Sequence, residues 1–301
     1  MTKPELDRLE TEARNAATTD FDAMDTAALL AAMNAEDQQV ARAVQRALPQ
    51  LACAVDAIAA RMLRGGRLVY CGAGTSGRLG VLDAAECEPT FSSAPGQVVG
   101  LIAGGSAALS AAVEGAEDDP QRGAADLQAL QPRADDSVVG ITASGRTPYV
   151  LGALAAARAA GAFTAAVVCT SGSPVAAAAE VAIEVVTGAE VLTGSTRLKA
   201  GTAQKMVLNM LSTAAFVRLH KVYGNLMVDV QATNDKLRER AVRIVMTATG
   251  AERDAATAAL QRCAGQVKTA ILALCAHLDA EAARARLAAH GGSVRRALEQ
   301  S

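Results

Sequence analysis

The chain has 301 residues, a formal net charge of -2 and an isoelectric point near 6.0, so it carries no electrostatic footprint for nucleic acid. Hydrophobic residues make up 51% of it and aromatic residues only 2%, with no Trp, which supplies a core of Ala, Val and Leu but little for base stacking or aromatic sugar platforms. This length accommodates one large α/β domain with a smaller unit, or two domains.

The first residues, MTKPELDRLE, lack the apolar core of a signal peptide, and no later run has the length of a membrane span. The expectation is a soluble, cytoplasmic protein. Residues 1–50 read as an N-terminal arm of irregular structure followed by helix. An Ala/Val/Leu pattern from Gln50 to Leu63 predicts a helix ended by Gly65 and Gly66. Four short β-branched runs follow, RLVYCG, QVVGLIAGG, SVVGITASG and TAAVVCTSG, and VAIEVV at Val181–Val186 reads as a fifth. Helical segments are predicted between them at Gly77–Cys87, Ser106–Gly115 and Thr147–Ala160. Such alternation predicts an α/β fold, a doubly wound parallel sheet flanked by helices, over residues 51–234. A long helix is expected from Leu198 to about His220, and residues 235–301 read as a small helical C-terminal subdomain.

The segment VYCGAGTSGRLGVLDAAEC places Gly72, Gly74 and Gly77 in the spacing G-x-G-x-x-G. A dinucleotide site also needs a carboxylate at the end of the next strand, and Leu101–Gly105 offers none. A nucleotide P-loop fails as well, because Gly77 is followed by Arg78 and Leu79 instead of Lys and Ser/Thr. What remains is Gly74, Thr75 and Ser76 at a helix N-terminus, suited to a compact phosphomonoester. A second loop, ITASGRTP, repeats Ser-Gly-Arg and offers Ser144 and Thr147; a third, LTGSTRLKAGTAQK, offers Ser195, Thr196 and Lys199. Each such turn alone is an ordinary cap. Three in one parallel α/β chain point to a phosphorylated small molecule. Lys199 stands near a helix start, where the macrodipole disfavours a cation unless an anion is held there. The six cysteines are scattered without a C-x-x-C pair and only three histidines exist, which argues against a zinc site and for inert thiols.

Taken with VVGLIAGG, AVEGAEDD, VVGITASGRTPYV and TGSTRLKAGTAQKMVLNMLSTAAFVRLHKVYGNLMVDVQATNDKL, the glycine segment resembles the N-acetylmuramic acid 6-phosphate etherases. These are a bacterial branch of the sugar isomerase (SIS) fold group, and the likeness runs from Thr11 to about Leu237. It implies removal of a lactyl ether from the sugar phosphate by elimination and water re-addition, with no metal or redox cofactor. It also implies that Glu86 is the proton donor and acceptor and Glu117 the second active-site glutamate; Asp83 is left structural. One departure is Glu88, where the family has Pro within Glu-Cys-Pro-Pro-Thr; it should loosen the turn after the helix. Two other functions share these loops: a non-catalytic sensor like the glucokinase regulatory protein, and an aldose–ketose isomerase. SIS domains commonly pair, and the apolar helix AQKMVLNMLSTAAFVRL reads as a pairing surface, so a homodimer is expected, without nucleic-acid or membrane partners.

Overall fold

A computed structural model describes residues 10–230 and 234–299. Residues 1–9 of the N-terminal arm, 231–233 within the long motif, and 300–301 lie outside the described residues. The chain divides into two compact units, residues 1–85 with 96–213, and residues 86–95 with 214–301. The second unit therefore starts well before residue 234 and takes in a distant segment. Two contacts explain this: Phe91 stacks on Phe216 with ring centroids 4.6 Å apart, and Ser92 Oγ donates to the Asp229 carbonyl. Composition registers neither.

The first unit opens with helices α1 (Thr26–Asp37), α2 (Val40–Arg46) and α3 (Leu48–Leu63). The sheet follows: β1 (Leu68–Gly72), β2 (Val98–Ile102), β3 (Ser137–Thr142), β4 (Phe163–Val168) and β5 (Val181–Glu184), all parallel in the order β2-β1-β3-β4-β5. Every residue of β1, β3 and β4 is buried, as expected of parallel strands covered on both faces. Between the strands lie α4 (Gly74–Phe91), α5 (Pro120–Ala129), α6 (Pro148–Ala159) and the short α7 (Pro174–Ala178). On one face, Val69, Cys71, Val138, Ala166 and Val168 pack with Leu127, Val150 and Leu154.

Two local expectations are corrected. Residues 106–115 do not form a regular helix; 3-10 turns occupy Gly105–Leu109 and Ala116–Asp118, because Gly104 and Gly115 take left-handed φ of 87° and 71°. The helix of this connection is α5, started by Pro120 and by Asp119, whose side chain accepts from the Arg122 N–H at 2.9 Å. It lies backbone to backbone on α6: a Cβ on Gly123 would stand 1.9 Å from the Tyr149 carbonyl oxygen, and one on Gly152 would stand 1.8 Å from that of Pro120. The long helix α8 (Lys199–Arg218) is not a spare pairing surface, since Ala200, Ala203, Val207, Leu208 and Leu211 are fully buried within the chain. The exposed apolar helix is α1: none of its residues is buried, and Leu30 is 62% exposed.

The second unit has a small antiparallel hairpin, β6 (Val222–Tyr223) and β7 (Leu226–Met227), and helices α9 (Asp235–Thr249), α10 (Arg253–Arg262), α11 (Val267–Cys275), α12 (Ala280–Ala289) and α13 (Val294–Glu299). Val245, Leu260, Ile271 and Leu272 centre its core. Among the described residues no helix is long and apolar enough to cross a membrane.

At the strand starts, buried Asp136 accepts from the Arg67 N–H at 2.9 Å, the Arg67 guanidinium at 2.6 Å and the Arg133 N–H at 2.9 Å. Burial pushes its carboxyl upward, but the bonds from Arg67 and Arg133 outweigh this and hold it below the usual range. Removing one partner of a buried pair strands the other, so Asp136→Ala should lower the unfolding free energy by about 3 kcal/mol in urea titrations near neutral pH. A depressed carboxyl stabilises above its unfolded value of about 4 and loses that contribution as pH falls through the folded value. The difference between wild type and Asp136→Ala should therefore shrink on acidification.

Candidate active site

The strand order reverses direction at β1, which has β2 on one side and β3 on the other. In open α/β sheets the crevice beyond such a switch point is where ligands bind, and the loops leaving β1 and β3 border it. Those are the two Ser-Gly-Arg loops, and their strand ends pair directly, Gly72 with Ile141. The repeat thus acquires a place.

The first loop is shaped by close packing. A Cβ on Gly72 would stand 2.8 Å from the Gly77 nitrogen, and one on Gly77 would stand 2.7 Å from the Gly72 oxygen. Only glycines let α4 begin this tightly on the end of β1. Gly74 turns the chain at φ 52° into open space, and the Gly77 N–H bonds back to the Ala73 carbonyl at 3.1 Å. The first N–H groups of a helix have no intrahelical partner and carry partial positive charge. Here they lie beside exposed Gly74, half-buried Thr75 and buried Ser76.

The third loop meets the first. A Cβ on Gly201 of α8 would lie 3.3 Å from the Thr75 γ-methyl and 3.6 Å from the Thr196 carbonyl oxygen. Ser76 Oγ donates to Gln204 Oε1 of α8 at 2.8 Å. Ser195 and Thr196 are half-buried in a tight turn closed by the bond from Leu198 N–H to Ser195 O at 3.2 Å. Ser144 is half-buried in the second loop, where Thr147 Oγ1 lies 2.7 Å from Thr142 Oγ1.

Lys199 is occupied from within the chain. Its ammonium pairs with Glu36, and buried Glu190 accepts from the Lys199 and Ala200 N–H groups, both at 3.0 Å. The anion at the start of α8 is the Glu190 carboxylate.

The 3-10 turn Ala116–Asp118 carries Glu117, exposed, on the rim of a cavity of about 240 Å³ whose lining includes Gly74, Arg78, Ala103, Val113 and Glu114. Glu117 thus shares a hollow with the glycine loop. Arg78 builds one wall: its guanidinium donates to the carbonyls of Leu109 and Ala111, both at 3.2 Å. Arg78 and Gln204 were not singled out by sequence reasoning; the second Ser-Gly-Arg was the available signal for Arg78.

Glu86 lies on α4, exposed, and belongs to the second unit. It stands twelve positions beyond Gly74, about 18 Å along the helix at 1.5 Å per residue. Asp83, three residues earlier, is buried and accepts from Tyr70 Oη at 2.8 Å and Ser212 Oγ at 3.2 Å. Burial raises its carboxyl, against those two bonds. Burial also pushes the Cys71 and Cys169 thiols up to about 12, so neither is a ready nucleophile. His220, His277 and His290 all lie in the second unit. Among the described residues no group of three His, Cys, Asp or Glu converges to hold a metal ion.

Comparison with known proteins identifies an SIS-type fold. Residues 122–214 match the SIS domain family, and residues 50–158 match the glucokinase regulatory protein N-terminal SIS domain. A relative from Cronobacter sakazakii, named N-acetylmuramic acid 6-phosphate etherase, is 60% identical over 98% of this chain and 99% of its own. Another of that name, from Mycolicibacterium smegmatis, is 57% identical over 98% of this chain and 99% of its own. A solved phosphoheptose isomerase from Francisella tularensis superposes with a TM-score of 0.45 at 16% identity, over 62% of this chain and 98% of that one.

Because Arg78 holds two carbonyls of the wall, Arg78→Ala should speed amide hydrogen exchange between residues 105 and 113 on the order of tenfold, with little change in exchange from β3 or β4. Arg78→Lys should not restore protection, since a point ammonium cannot span both acceptors as the planar fork does.

Proposed function

The chain belongs to the N-acetylmuramic acid 6-phosphate etherase family, and on that premise we propose that it cleaves the D-lactyl ether of N-acetylmuramic acid 6-phosphate, giving N-acetylglucosamine 6-phosphate and D-lactate. The observation that carries this reading is the crevice at the β1/β3 switch point, where a phosphate-type helix N-terminus shares one cavity with Glu117. The phosphate is anchored by Gly74, Thr75 and Ser76, with Ser144, Thr147, Ser195 and Thr196 as neighbouring hydroxyls. Lys199 needs no ligand, because Glu36 already neutralises it.

An ether oxygen is a poor leaving group, so the route passes through the ring-opened aldehyde. Glu86 takes the C2 proton, acidified by the adjacent carbonyl. The electron pair forms the C2–C3 double bond as the C3–oxygen bond breaks, and Glu117 protonates the departing lactate oxygen. Water then adds its oxygen to C3, and C2 regains a proton. Each positioned proton-transfer group is typically worth about 10²–10⁴ in rate.

The length of α4 raises a geometric demand. About 18 Å separates Glu86 from Gly74 along the helix, more than a hexose 6-phosphate spans. A second copy of the chain resolves it: the protein acts as a homodimer, in which Glu86 of one subunit serves the crevice of the other. Helix α1, apolar and with no buried residue, supports pairing, since monomers seldom leave such a surface uncovered. A sensor without catalysis would need neither glutamate, and an isomerase would release no lactate. The family's etherases and the two retained carboxylates favour the lyase.

Glu86→Gln should keep phosphate binding but lose at least about 10² in turnover, because the amide cannot accept the proton. Wild type in heavy water should place deuterium at C2 of the product, and in ¹⁸O-water should place label at C3; product with neither label rules out the route. Mixing inactive Glu86→Gln and Glu117→Gln chains should restore about a quarter of wild-type turnover if each site draws one glutamate from each subunit of a symmetric pair. No recovery would mean that both glutamates act within one chain.

A further inference from the structure

Ser76 and Gln204 meet where the start of α4 packs on α8. Gln204 is 1% exposed and Ser76 is 8% exposed, with the Ser76 hydroxyl donating to Oε1 at 2.8 Å. The other half of the same amide, Gln204 Nε2, is buried without a hydrogen-bond partner. Leaving two buried N–H donors unused carries their full desolvation penalty. A half-turn of this amide would give Nε2 a partner in Ser76 Oγ.

The serine has the complementary need. A hydroxyl has one proton, and an ionised phosphate oxygen can only accept. While Ser76 donates to Oε1, it has nothing to give an anion and can only receive a bond, from water or a sugar hydroxyl. A half-turn of the amide reverses this, placing Nε2 where Oε1 stood and freeing the serine proton. We infer that Gln204 is a positioning residue for the phosphate anchor: its amide turns over as the anion binds, donates Nε2–H to Ser76 Oγ, and commits the Ser76 proton to a phosphate oxygen. The pair then discriminates by ligand chemistry, offering a donor to an oxyanion and an acceptor to a neutral hydroxyl. No covalent bond changes, and the moving parts are one amide and one hydroxyl. A carboxylate at 204 would trap the serine proton permanently, because it only accepts.

This inference rests on Ser76 being the anchor, so the test separates the two claims. Inorganic phosphate binding is measured by calorimetry on wild type, Ser76→Ala, Gln204→Glu and the double variant, with a second cycle using Gln204→Met. Gln204→Glu should weaken phosphate binding by about tenfold or more when Ser76 is present, the scale of one bond to a charged group. In the Ser76→Ala background the loss should be at least about threefold smaller, because the residue acts through the serine. Simple charge repulsion predicts equal losses in both backgrounds and would overturn the inference. Gln204→Met, uncharged and similar in length, decides the matter if the glutamate variant does not fold: its loss should be about threefold to tenfold and should likewise shrink without Ser76. With N-acetylmuramic acid 6-phosphate it should raise KM at nearly constant kcat, the signature of lost uniform binding, whereas a disordered α8 would lower kcat. If Ser76→Ala binds phosphate as wild type does, the anchor reading itself fails and takes this inference with it. If Ser76→Ala weakens binding but the Gln204 variants match wild type or act additively, only the inference fails.

Discussion

The site depends on one backbone contact, that between Gly72 at the end of β1 and Gly77 in the first turn of α4. With no Cβ on either residue, the helix starts almost on top of the strand, and a side chain at either position would enter the other's backbone. Everything nearby takes its position from this approach. Ser76 reaches Gln204, Thr75 reaches Gly201, and Arg78 reaches the two carbonyls that shape the cavity wall. A longer turn would still leave a helix N-terminus, but one displaced from the switch point and from the hydroxyls of the third loop. The G-x-G-x-x-G spacing here is a packing device, and by itself it names no ligand.

Buried charge obeys a second constraint. A carboxylate or ammonium removed from water must find its partners inside the fold. Glu190 does so on the first N–H groups of α8, Lys199 on Glu36, and Asp136 on Arg67 and Arg133. These groups are satisfied without a ligand, so they are poor candidates for binding one. Exposed Glu117 and the half-buried Thr75, Ser144, Ser195 and Thr196 form the opposite class, able to meet a ligand without first breaking an internal ion pair. Gln204 falls between: buried like the first class, but with half of its amide unmatched.

The five strands were legible because β-branched runs bounded by glycine have few other uses in an α/β chain, and each falls where the pattern put it. The segment at 106–115 misled because Ala-rich sequence favours helix, whereas the glycines at 104 and 115 impose left-handed turns. The roles of Glu86 and Glu117 came from resemblance; nothing local to either residue marks it as catalytic. Lys199 did signal an anion at a helix start, but periodicity cannot tell a ligand from Glu190, nine residues away. Arg78 and Gln204 were illegible for a plainer reason. Their partners lie 31, 33 and 128 residues distant, and only the folded chain brings them together.

Glu88 illustrates how a visible departure in sequence can leave a helix end unchanged. A proline in its place would remove an N–H from the last turns of α4, so its replacement was expected to loosen the turn that follows. Instead the helix runs through residue 88 to Phe91, and the Ser92 N–H bonds to the Glu88 carbonyl at 2.9 Å. Pro89 still follows inside the helix and removes the next N–H, so the helix ends within one turn either way. What changes is that a second exposed carboxylate stands two residues from Glu86. Residues two apart do not face each other on a helix, so Glu88 does not crowd Glu86 directly. On a solvated surface its field is screened within about 10 Å. Within the chain the substitution is nearly silent, in shape because Pro89 ends the helix anyway and in charge because solvent screens the exposed carboxylate.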